Sequence, residues 1–392
     1  MKKIVMYATV AAVLAGFSGV LSGAQQEQWL SYHTSPEAYP QVGDMRMRQL
    51  KLVTDKPELV DVPEFKNDTP LFAKWNSPMA KGGFLWMAFD REHKRGNYDR
   101  LVIDSNGDGN LKDEKFIDSH RRDHRESFFG PAPVYFDGED GPITYHLNFR
   151  LSYRSNHKYL YVSAGGWYEG MIQLGDQKLH CMLIDYNGNG QFNDISPSDS
   201  QCDRIRVGKS KPAPTRYVGN YLEVDGVLYQ PTIARDGAFI TIQKAKDVIF
   251  GNVRTPDEIN ELTAGGENGL LTVKLENGLG KLPVGQYRLV HWKIDRKDDD
   301  DHTWTMQGSG FDKNGDFAVT KDRPVHIPIG EPVLAHLEVR NKGTEFYFNH
   351  KMRGQLNELI EITRNGSQAR APKLQIVSGD QTYKRSFQLE YG

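Results

Sequence analysis

Short alternations of apolar and polar residues, separated by turns rich in Gly, Asn and Pro, dominate the chain. In TEFYFNH, PKLQIVS and SFQLEYG the apolar residues fall on every second position, which puts them on one face of a strand. Asp225-Gly226, Asp236-Gly237 and Asn365-Gly366 are typical of tight turns between antiparallel strands. The pattern therefore predicts a mainly β protein of antiparallel sheets and β-sandwich modules.

The pattern also suggests where the chain divides. We expect a β domain over 25–245 and a β module over 246–331. A C-terminal antiparallel unit over 332–392 stands alone or shares a domain with that module. One helix is expected: Thr255-Pro256-Asp257-Glu258 has the residues of a capped helix start, and the helix would end by Gly265.

The first 24 residues indicate export. Lys2 and Lys3 precede an apolar run that ends in Ser22-Gly23-Ala24, which fits a signal peptide cleaved after Ala24. A single membrane anchor is the alternative, but the run is short and punctuated by glycine. No later stretch is long and apolar enough to span a bilayer, so we expect a periplasmic or extracellular protein with no membrane span after cleavage.

Charge narrows the range of partners. The chain has 49 Lys and Arg against 51 Asp and Glu, and the leader would remove two of the lysines. The chain therefore has no excess of basic residues with which to bind the phosphates of a nucleic acid, and we expect no nucleic-acid partner. A polysaccharide or a cell-surface component remains open as a partner.

One polar motif occurs twice in register. LVIDSNGDGNLKD at 101–113 matches MLIDYNGNGQFND at 182–194 without a gap. Six positions of the first copy recur in the second, including the first and last Asp. Each copy follows a strand, turn and strand, so the loop ends a β-hairpin arm and no amphipathic helices frame it. An accidental turn is not expected to repeat this way.

The residue types in the two loops suit calcium, a hard cation that takes six to eight oxygen ligands. Alternate side chains offer oxygens, a Gly turns the chain back, and the next residue offers its carbonyl. An apolar residue, Leu111 or Phe192, would then pin each loop to the core. The predicted calcium ligands are Asp104, Asn106, Asp108, Asn110 and Asp113 in the first loop, and Asp185, Asn187, Asn189, Gln191 and Asp194 in the second.

The two segments resemble the calcium loops of EF-hands and, more closely, those of dockerins and other secreted bacterial proteins with DxNxDG loops. They depart from the EF-hand pattern because Lys115 and Ser196 stand where that family has a bidentate Glu. We infer a shortened loop closed by Asp113 or Asp194. LPVGQYRL at 282–289 similarly resembles strands of Ig-like or prealbumin-like modules, and assigns that class to 246–331.

Other polar segments have simpler interpretations. Each DxNxDG-type loop could also be an Asx-rich turn whose side chains satisfy its own backbone. GFDKNGDF at 310–317 looks more like an Asn-Gly hairpin turn than a metal site, and DDDDH at 298–302 like a solvated loop tip between two strands.

Cys181 and Cys202 are the two cysteines. In an oxidising compartment a disulfide between them is expected, with two buried thiols as the alternative.

No motif identifies an enzyme, so a non-enzymatic, calcium-stabilised structural or binding role is the first hypothesis. A secreted polysaccharide hydrolase with a structural calcium ion is the alternative, and it needs a concave site with two carboxylates. A sugar-binding module is a further alternative, in which Trp167 and Tyr168 stack on sugar rings. These two aromatic residues are more typical of a hairpin anchored to its sheet.

Overall fold

The structure is a computed structural model that describes residues 26–58, 60–93, 96–138, 141–154, 157–311 and 313–390. The predicted signal peptide lies outside these residues. Within them, no helix has the length and apolar character that crossing a membrane requires.

The described chain is mainly β, as predicted. It has one short α-helix, α1 (Ala38–Val42), and two 3-10 turns, Asp199–Gln201 and Lys313–Gly315. The strands of the first part of the chain are β1 Gln28–Trp29, β2 Ser31–Thr34, β3 Arg48–Leu50, β4 Leu52–Val53, β5 Leu71–Asn76, β6 Phe84–Asp90, β7 Arg100–Ile103, β8 Ile117–Asp118, β9 Arg121–Arg122, β10 Glu126–Gly138, β11 Gly141–Arg154, β12 His157–Ala164, β13 Gly166–Leu174, β14 Gln177–Ile184, β15 Arg204–Gly208, β16 Thr215–Tyr217, β17 Leu222–Val224, β18 Val227–Ile233 and β19 Phe239–Lys244.

The remaining strands are β20 Phe250–Arg254, β21 Glu261–Gly266, β22 Gly269–Lys274, β23 Leu279–Pro283, β24 Gly285–Lys297, β25 Thr303–Ser309, β26 Asp316–Val319, β27 Val325–His326, β28 Leu334–Lys342, β29 Glu345–Arg353, β30 Leu359–Arg364, β31 Ser367–Gln368, β32 Lys373–Val377 and β33 Lys384–Gln388.

Four antiparallel sheets surround a first core. Their strand orders are β4-β5-β6-β7-β8, β3-β12-β11-β10-β9, β16-β15-β14-β13-β2 and β1-β19-β18-β17. Each sheet contributes buried side chains to one continuous cluster, among them Trp75, Phe149, Leu183 and Ile240. The last residues of β7 and β14, Ile103 and Ile184, belong to this cluster. The two polar loops that follow these strands therefore start at the core.

A second core lies in the later part of the chain. It is lined by a three-stranded sheet, β23-β20-β27, and by a large sheet of order β22-β21-β24-β25-β30-β29-β28. Val253 and Leu282 from the first sheet meet Leu262 and Trp292 from the second in one cluster. β30 pairs with β25 over six residue pairs, so residues after 332 share a sheet with the preceding module.

The expected helix at Thr255 is wrong. Asp257 and Glu258 form a turn, and β21 follows at Glu261. The backbone N–H of Thr255 donates to the carbonyl of Gly278 (2.9 Å), which ties the segment to the neighbouring chain. Residues of β21 pair on both sides, with β22 and β24, and this pairing outweighs a local capping signal.

The predicted turns are confirmed. Asp225-Gly226 joins β17 to β18, the Asp236-Gly237 turn joins β18 to β19, and Asn365-Gly366 joins β30 to β31. Gly226, Gly237 and Gly366 all have positive φ, the conformation for which glycine has no steric penalty.

Candidate metal centres

Loop one (residues 104–114) leaves β7 and is closed by its first side chain. Asp104 is buried, and its Oδ1 accepts hydrogen bonds from the backbone N–H groups of Gly107 (2.8 Å) and Asp108 (3.1 Å). Its Oδ2 accepts one from Gly109 (3.0 Å). Both glycines have positive φ, so the chain can turn tightly around the carboxylate.

The next three predicted ligands lie together along the solvent side of loop one. Asp108 accepts hydrogen bonds from the N–H of Asn110 (2.8 Å) and from Nδ2 of Asn106 (3.0 Å). Asp113 is exposed and makes no hydrogen bond or ion pair with any described residue. The structure therefore brings four of the five predicted ligands into one loop and leaves Asp113 outside their contacts.

Leu111 fixes loop one to the protein, as predicted. Its side chain is fully buried in a small cluster with Phe72. The backbone of Asp61 also binds this part of the loop through two hydrogen bonds. The Asp61 N–H donates to Gly109 O (3.0 Å), and the Leu111 N–H donates to Asp61 O (2.7 Å). Phe192, at the same position of the second loop, is also buried.

Loop two (residues 185–194) leaves β14 and has the same scaffold. Asp185 is fully buried, and its Oδ1 accepts hydrogen bonds from the N–H groups of Gly188 (2.6 Å) and Asn189 (3.2 Å). Its Oδ2 accepts from Gly190 (2.7 Å) and from the Tyr145 hydroxyl (2.8 Å). The carboxylate thus binds the amides at the same three positions as in loop one.

The other predicted ligands of loop two converge on Asp194. Nδ2 of Asn187 and Nδ2 of Asn189 both donate to Asp194 Oδ2 at 2.7 Å. With the Gln191 amide oriented so that its oxygen faces Arg235, its nitrogen donates to Asp194 Oδ1 (3.3 Å). The charge of Asp185 is also close enough to that of Asp194 for the two to repel. All five predicted residues therefore meet in one place.

Loop two contains an acceptor without a donor. Asn187 is 3% exposed, and its Oδ1 is buried with no hydrogen-bond partner among the described residues. Leaving such an oxygen unpaired costs about 1–3 kcal/mol. A hard cation binds amide and carboxylate oxygens, so the donor set of loop two fits calcium at this position.

A further acid at loop two was missed by the sequence reasoning. Asp203 is fully buried, and its carboxylate accepts hydrogen bonds from the N–H groups of Tyr186 (3.1 Å) and Asp194 (2.9 Å). It lies outside the motif but reaches the loop because β14 pairs with β15, with Ile184 opposite Arg204.

Glu114 is the counterpart of Asp203 in loop one. Its Oε1 accepts a hydrogen bond from the N–H of Ser105 (2.6 Å), just as Asp203 accepts from the residue after Asp185. The pairing of Leu101 with Ile117 in β7 and β8 places Glu114 opposite Asp104. Only the strand register reveals this equivalence, because the two acids lie at different distances along the chain from their first Asp.

Loop two carries buried negative charge. Burial raises the pKa of Asp185 to about 6, although its hydrogen bonds act in the opposite direction. Burial, followed by the charges of Asp185 and Asp194, raises the pKa of Asp203 well above its ordinary value. Burial also raises the pKa of Asp104 in loop one. A bound cation would relieve this repulsion and favour the ionised carboxylates.

A different acidic group lies between β24 and β25. The ligand atoms of Asp298, Asp300 and His302 lie within 4.8 Å of one another, and no three carboxylates of either loop converge this closely among the described residues. Asp298 already accepts a hydrogen bond from Trp304 Nε1 (2.9 Å), and Arg364 contacts His302 Nδ1 (2.9 Å). The guanidinium opposes a cation, and the segment is the predicted loop tip between two strands.

The segment 310–317 does not form the expected hairpin turn. Its Asp312 lies outside the described residues. Lys313–Gly315 form a 3-10 turn that leads into β26, and both β25 and β26 pair with β24 instead of with each other. Asp316 is held by Arg288, whose Nη2 donates to Asp316 Oδ2 at 2.9 Å.

The predicted disulfide is wrong, because Cys181 and Cys202 are both buried free thiols. Cys181 pairs with Val207 across β14 and β15, whereas Cys202 precedes Val207 by five residues. At about 3.3 Å per residue, the cysteines lie farther apart than the ~7 Å between Cα atoms that a disulfide allows. The Cys202 thiol instead donates to Val218 O (3.0 Å).

We expect both thiols to be unreactive at neutral pH until the protein unfolds. Burial raises the pKa of each thiol to about 12, which lowers the reactive thiolate fraction about 10³-fold relative to a free cysteine. Titration with an aromatic disulfide reagent should detect almost no thiol in the native protein and two per chain in denaturant without reductant. Fewer than two thiols in denaturant would indicate a disulfide.

Trp167 and Tyr168 anchor β13 and are not exposed for stacking on a ligand. Trp167 is 6% exposed, stacks on His33 with ring centroids 5.7 Å apart, and donates to Glu169 Oε2 (3.2 Å). Tyr168 is 9% exposed and packs edge-on against Phe192 at 5.1 Å. The anchoring interpretation of this segment is therefore confirmed.

Comparison of the chain with protein-family models found no match, and comparisons with curated proteins and with solved structures found none either. The residues and geometry described above are therefore the basis for a functional assignment.

Proposed function

We propose that this chain is an exported β protein whose two polar loops bind calcium, and that its role is non-enzymatic, structural or in binding. The observation that carries the calcium assignment is in loop two. There the unpaired Asn187 Oδ1 lies in the same loop as the buried Asp185 and the half-buried Asp194, whose charges repel. Calcium would take these oxygens as ligands. It would offset both the cost of the unpaired Asn187 oxygen and the repulsion between the two carboxylates.

The calcium would stabilise the packing of the first core. Gly188 of loop two accepts hydrogen bonds from Trp75 Nε1 (2.8 Å) and from Arg48 (2.9 Å), which belong to β5 and β3. Because loop two itself follows β14, three of the four sheets around the first core meet at this point. Loss of the ion would therefore loosen contacts between sheets and not only within one loop.

Export to the periplasm or beyond is supported by the leader sequence, with Lys2 and Lys3 before an apolar run. We place an Ig-like or prealbumin-like sandwich at 246–331, supported by the two sheets that share the second core. We assign no nucleic-acid partner, and a polysaccharide or cell-surface partner fits an exported β scaffold.

Thermal unfolding in calcium and in excess chelator tests the proposal. At a calcium concentration about 100 times the dissociation constant, binding adds about 2.7 kcal/mol, which should raise the midpoint by about 5 °C or more. Asp185→Asn and Asp104→Asn should each reduce this shift.

The matched control is Asp322→Asn, at an exposed acid distant in sequence from both loops, which should keep the full shift. Equal midpoints in calcium and chelator would refute calcium binding. An unchanged shift in both loop variants would refute the assignment of the ion to these loops.

A further inference from the structure

A second feature of the first core is a cleft of about 560 Å³ beside loop two. The turn between β18 and β19 forms one wall, and the ends of β10 and β11 form the other. Its lining combines aromatic, acidic and basic side chains, mainly Trp29, Phe239, Tyr168, Asp137, Asp236 and Arg235. It is larger than the cleft of about 220 Å³ beside α1.

The aromatic side of the cleft is open. Trp29 is 64% exposed, although it is a large apolar side chain. It pairs with Phe239 across β1 and β19, and the two ring centroids lie 5.2 Å apart. The strand pairing holds the indole in place without covering it, so an apolar surface can stack on it.

The polar side has unused hydrogen-bond acceptors. Asp137 is exposed, and its carboxylate makes no hydrogen bond or ion pair within the described part of the chain. Asp236 accepts one hydrogen bond, from the N–H of Ala238 in its own turn (3.1 Å). An ionised carboxylate only accepts hydrogen bonds, so this side suits a ligand with many hydroxyl donors.

We infer that this cleft binds a neutral saccharide, with a sugar ring stacked on Trp29 and hydroxyl groups donating to Asp137 and Asp236. The two acids disfavour phosphate and anionic sugars. Arg235 lines the same wall, and its positive charge disfavours a cationic ligand. Its guanidinium donates to Pro78 O (2.7 Å). A pyranose has both the apolar ring face and the hydroxyl groups that this lining requires.

Loop two supports one wall of the cleft. The N–H of Phe192 donates to Arg235 O (3.0 Å), and the Gln191 side chain faces the Arg235 guanidinium (3.1 Å). An ion in loop two would therefore hold the turn that carries Asp236. This coupling rests on the proposed calcium site, whereas saccharide binding itself rests on the cleft alone.

The test measures binding of neutral cello-, xylo-, manno- and chito-oligosaccharides to the mature chain by titration calorimetry in calcium. For whichever of these sugars the wild type binds, Trp29→Ala should reduce the affinity by about 10-fold or more. Asp137→Asn should reduce it several-fold. Phe346→Ala, at another exposed aromatic residue (59%) distant in sequence from the cleft, should bind as the wild type does.

Three results would overturn the inference: no binding of any of these sugars, binding unchanged in Trp29→Ala, or binding of oligolysine in preference to sugars. The calcium-dependent rise in unfolding midpoint is measured on the same samples. Trp29→Ala should retain that rise, which shows that the variant is folded. If the wild type binds sugar but calcium does not raise its unfolding midpoint, the calcium proposal is refuted and the saccharide inference stands. If calcium raises the midpoint but no sugar binds, the saccharide inference is refuted and the calcium proposal stands.

Discussion

Trp75→Ala should lower the free energy of unfolding by about 3–5 kcal/mol, the largest loss expected for a single substitution here. Trp75 is fully buried, and its ring stacks on Tyr145 with centroids 5.9 Å apart and planes 8° apart. Its Nε1 donates to Gly188 O in loop two (2.8 Å). The variant loses apolar contacts, leaves a cavity between sheets and removes a hydrogen bond that positions the loop.

Denaturant unfolding measures this loss, and a calcium titration of the same variant measures its effect on loop two. Trp75→Phe keeps an aromatic ring but no donor, so it should cost less while still weakening the response to calcium. Trp304→Ala is the control, because Trp304 is half-buried in β25, far along the chain from both loops. A loss below about 1 kcal/mol for Trp75→Ala would contradict the assigned packing.

Strands and turns could be predicted from the sequence because their signals are local. Alternation of apolar residues marks the face of a strand, and Asp-Gly or Asn-Gly marks the turn that follows. The hairpins around Asp225-Gly226 and Asn365-Gly366 follow from these two rules alone.

Elements that depend on competition between local and long-range contacts were not predictable in this way. The capping residues at Thr255 favour a helix, but strand pairing on both sides of β21 offers more hydrogen bonds and burial. Conversely, α1 forms in a segment with no helical periodicity, where Ala38 and Val42 are buried against the first core.

The same distinction applies to the candidate site, where residues within a loop were predictable and residues brought in by strand pairing were not. Residues within each loop are contiguous, so their spacing alone brings Asp185 to the amides of Gly188 and Gly190. Asp203 reaches the site only through the register of β14 and β15. The disulfide was mispredicted for the same reason, since compartment and count say nothing about register.

The stability advantage of the wild type over Asp185→Asn should shrink by about 3 kcal/mol as pH rises from about 4 to about 7 in chelator. Burial raises the pKa of Asp185 from an ordinary 3.8 to about 6. The folded protein therefore binds a proton that the unfolded chain releases above about pH 4. This contribution is fully present below that pH and is lost as pH rises through 6.

The comparison with Asp185→Asn is needed because other groups titrate in the same range. Burial lowers the pKa of His146, so that residue favours the folded state as pH rises. Hydrogen bonds from Lys211 and His180 outweigh burial and lower the pKa of Glu169 to about 2, so its contribution is lost only below about pH 4.5. Both contributions are common to the two proteins and cancel in the difference. The contribution of Asp203 does not cancel, because the charge of Asp185 helps to raise its pKa, so the difference reports the Asp185–Asp203 pair.

Calcium should reverse the trend for the wild type. Binding requires ionised carboxylates, so the ion displaces the proton from Asp185, and the stability it adds should increase from about pH 5 to about pH 7. Chemical denaturation of both proteins across this range, with calcium and with chelator, gives the four curves required. A wild-type advantage in chelator that stays level or grows with pH would mean that the Asp185 carboxylate is already stabilised as an anion. Loop two would then be a self-satisfied Asx turn that does not need a metal ion.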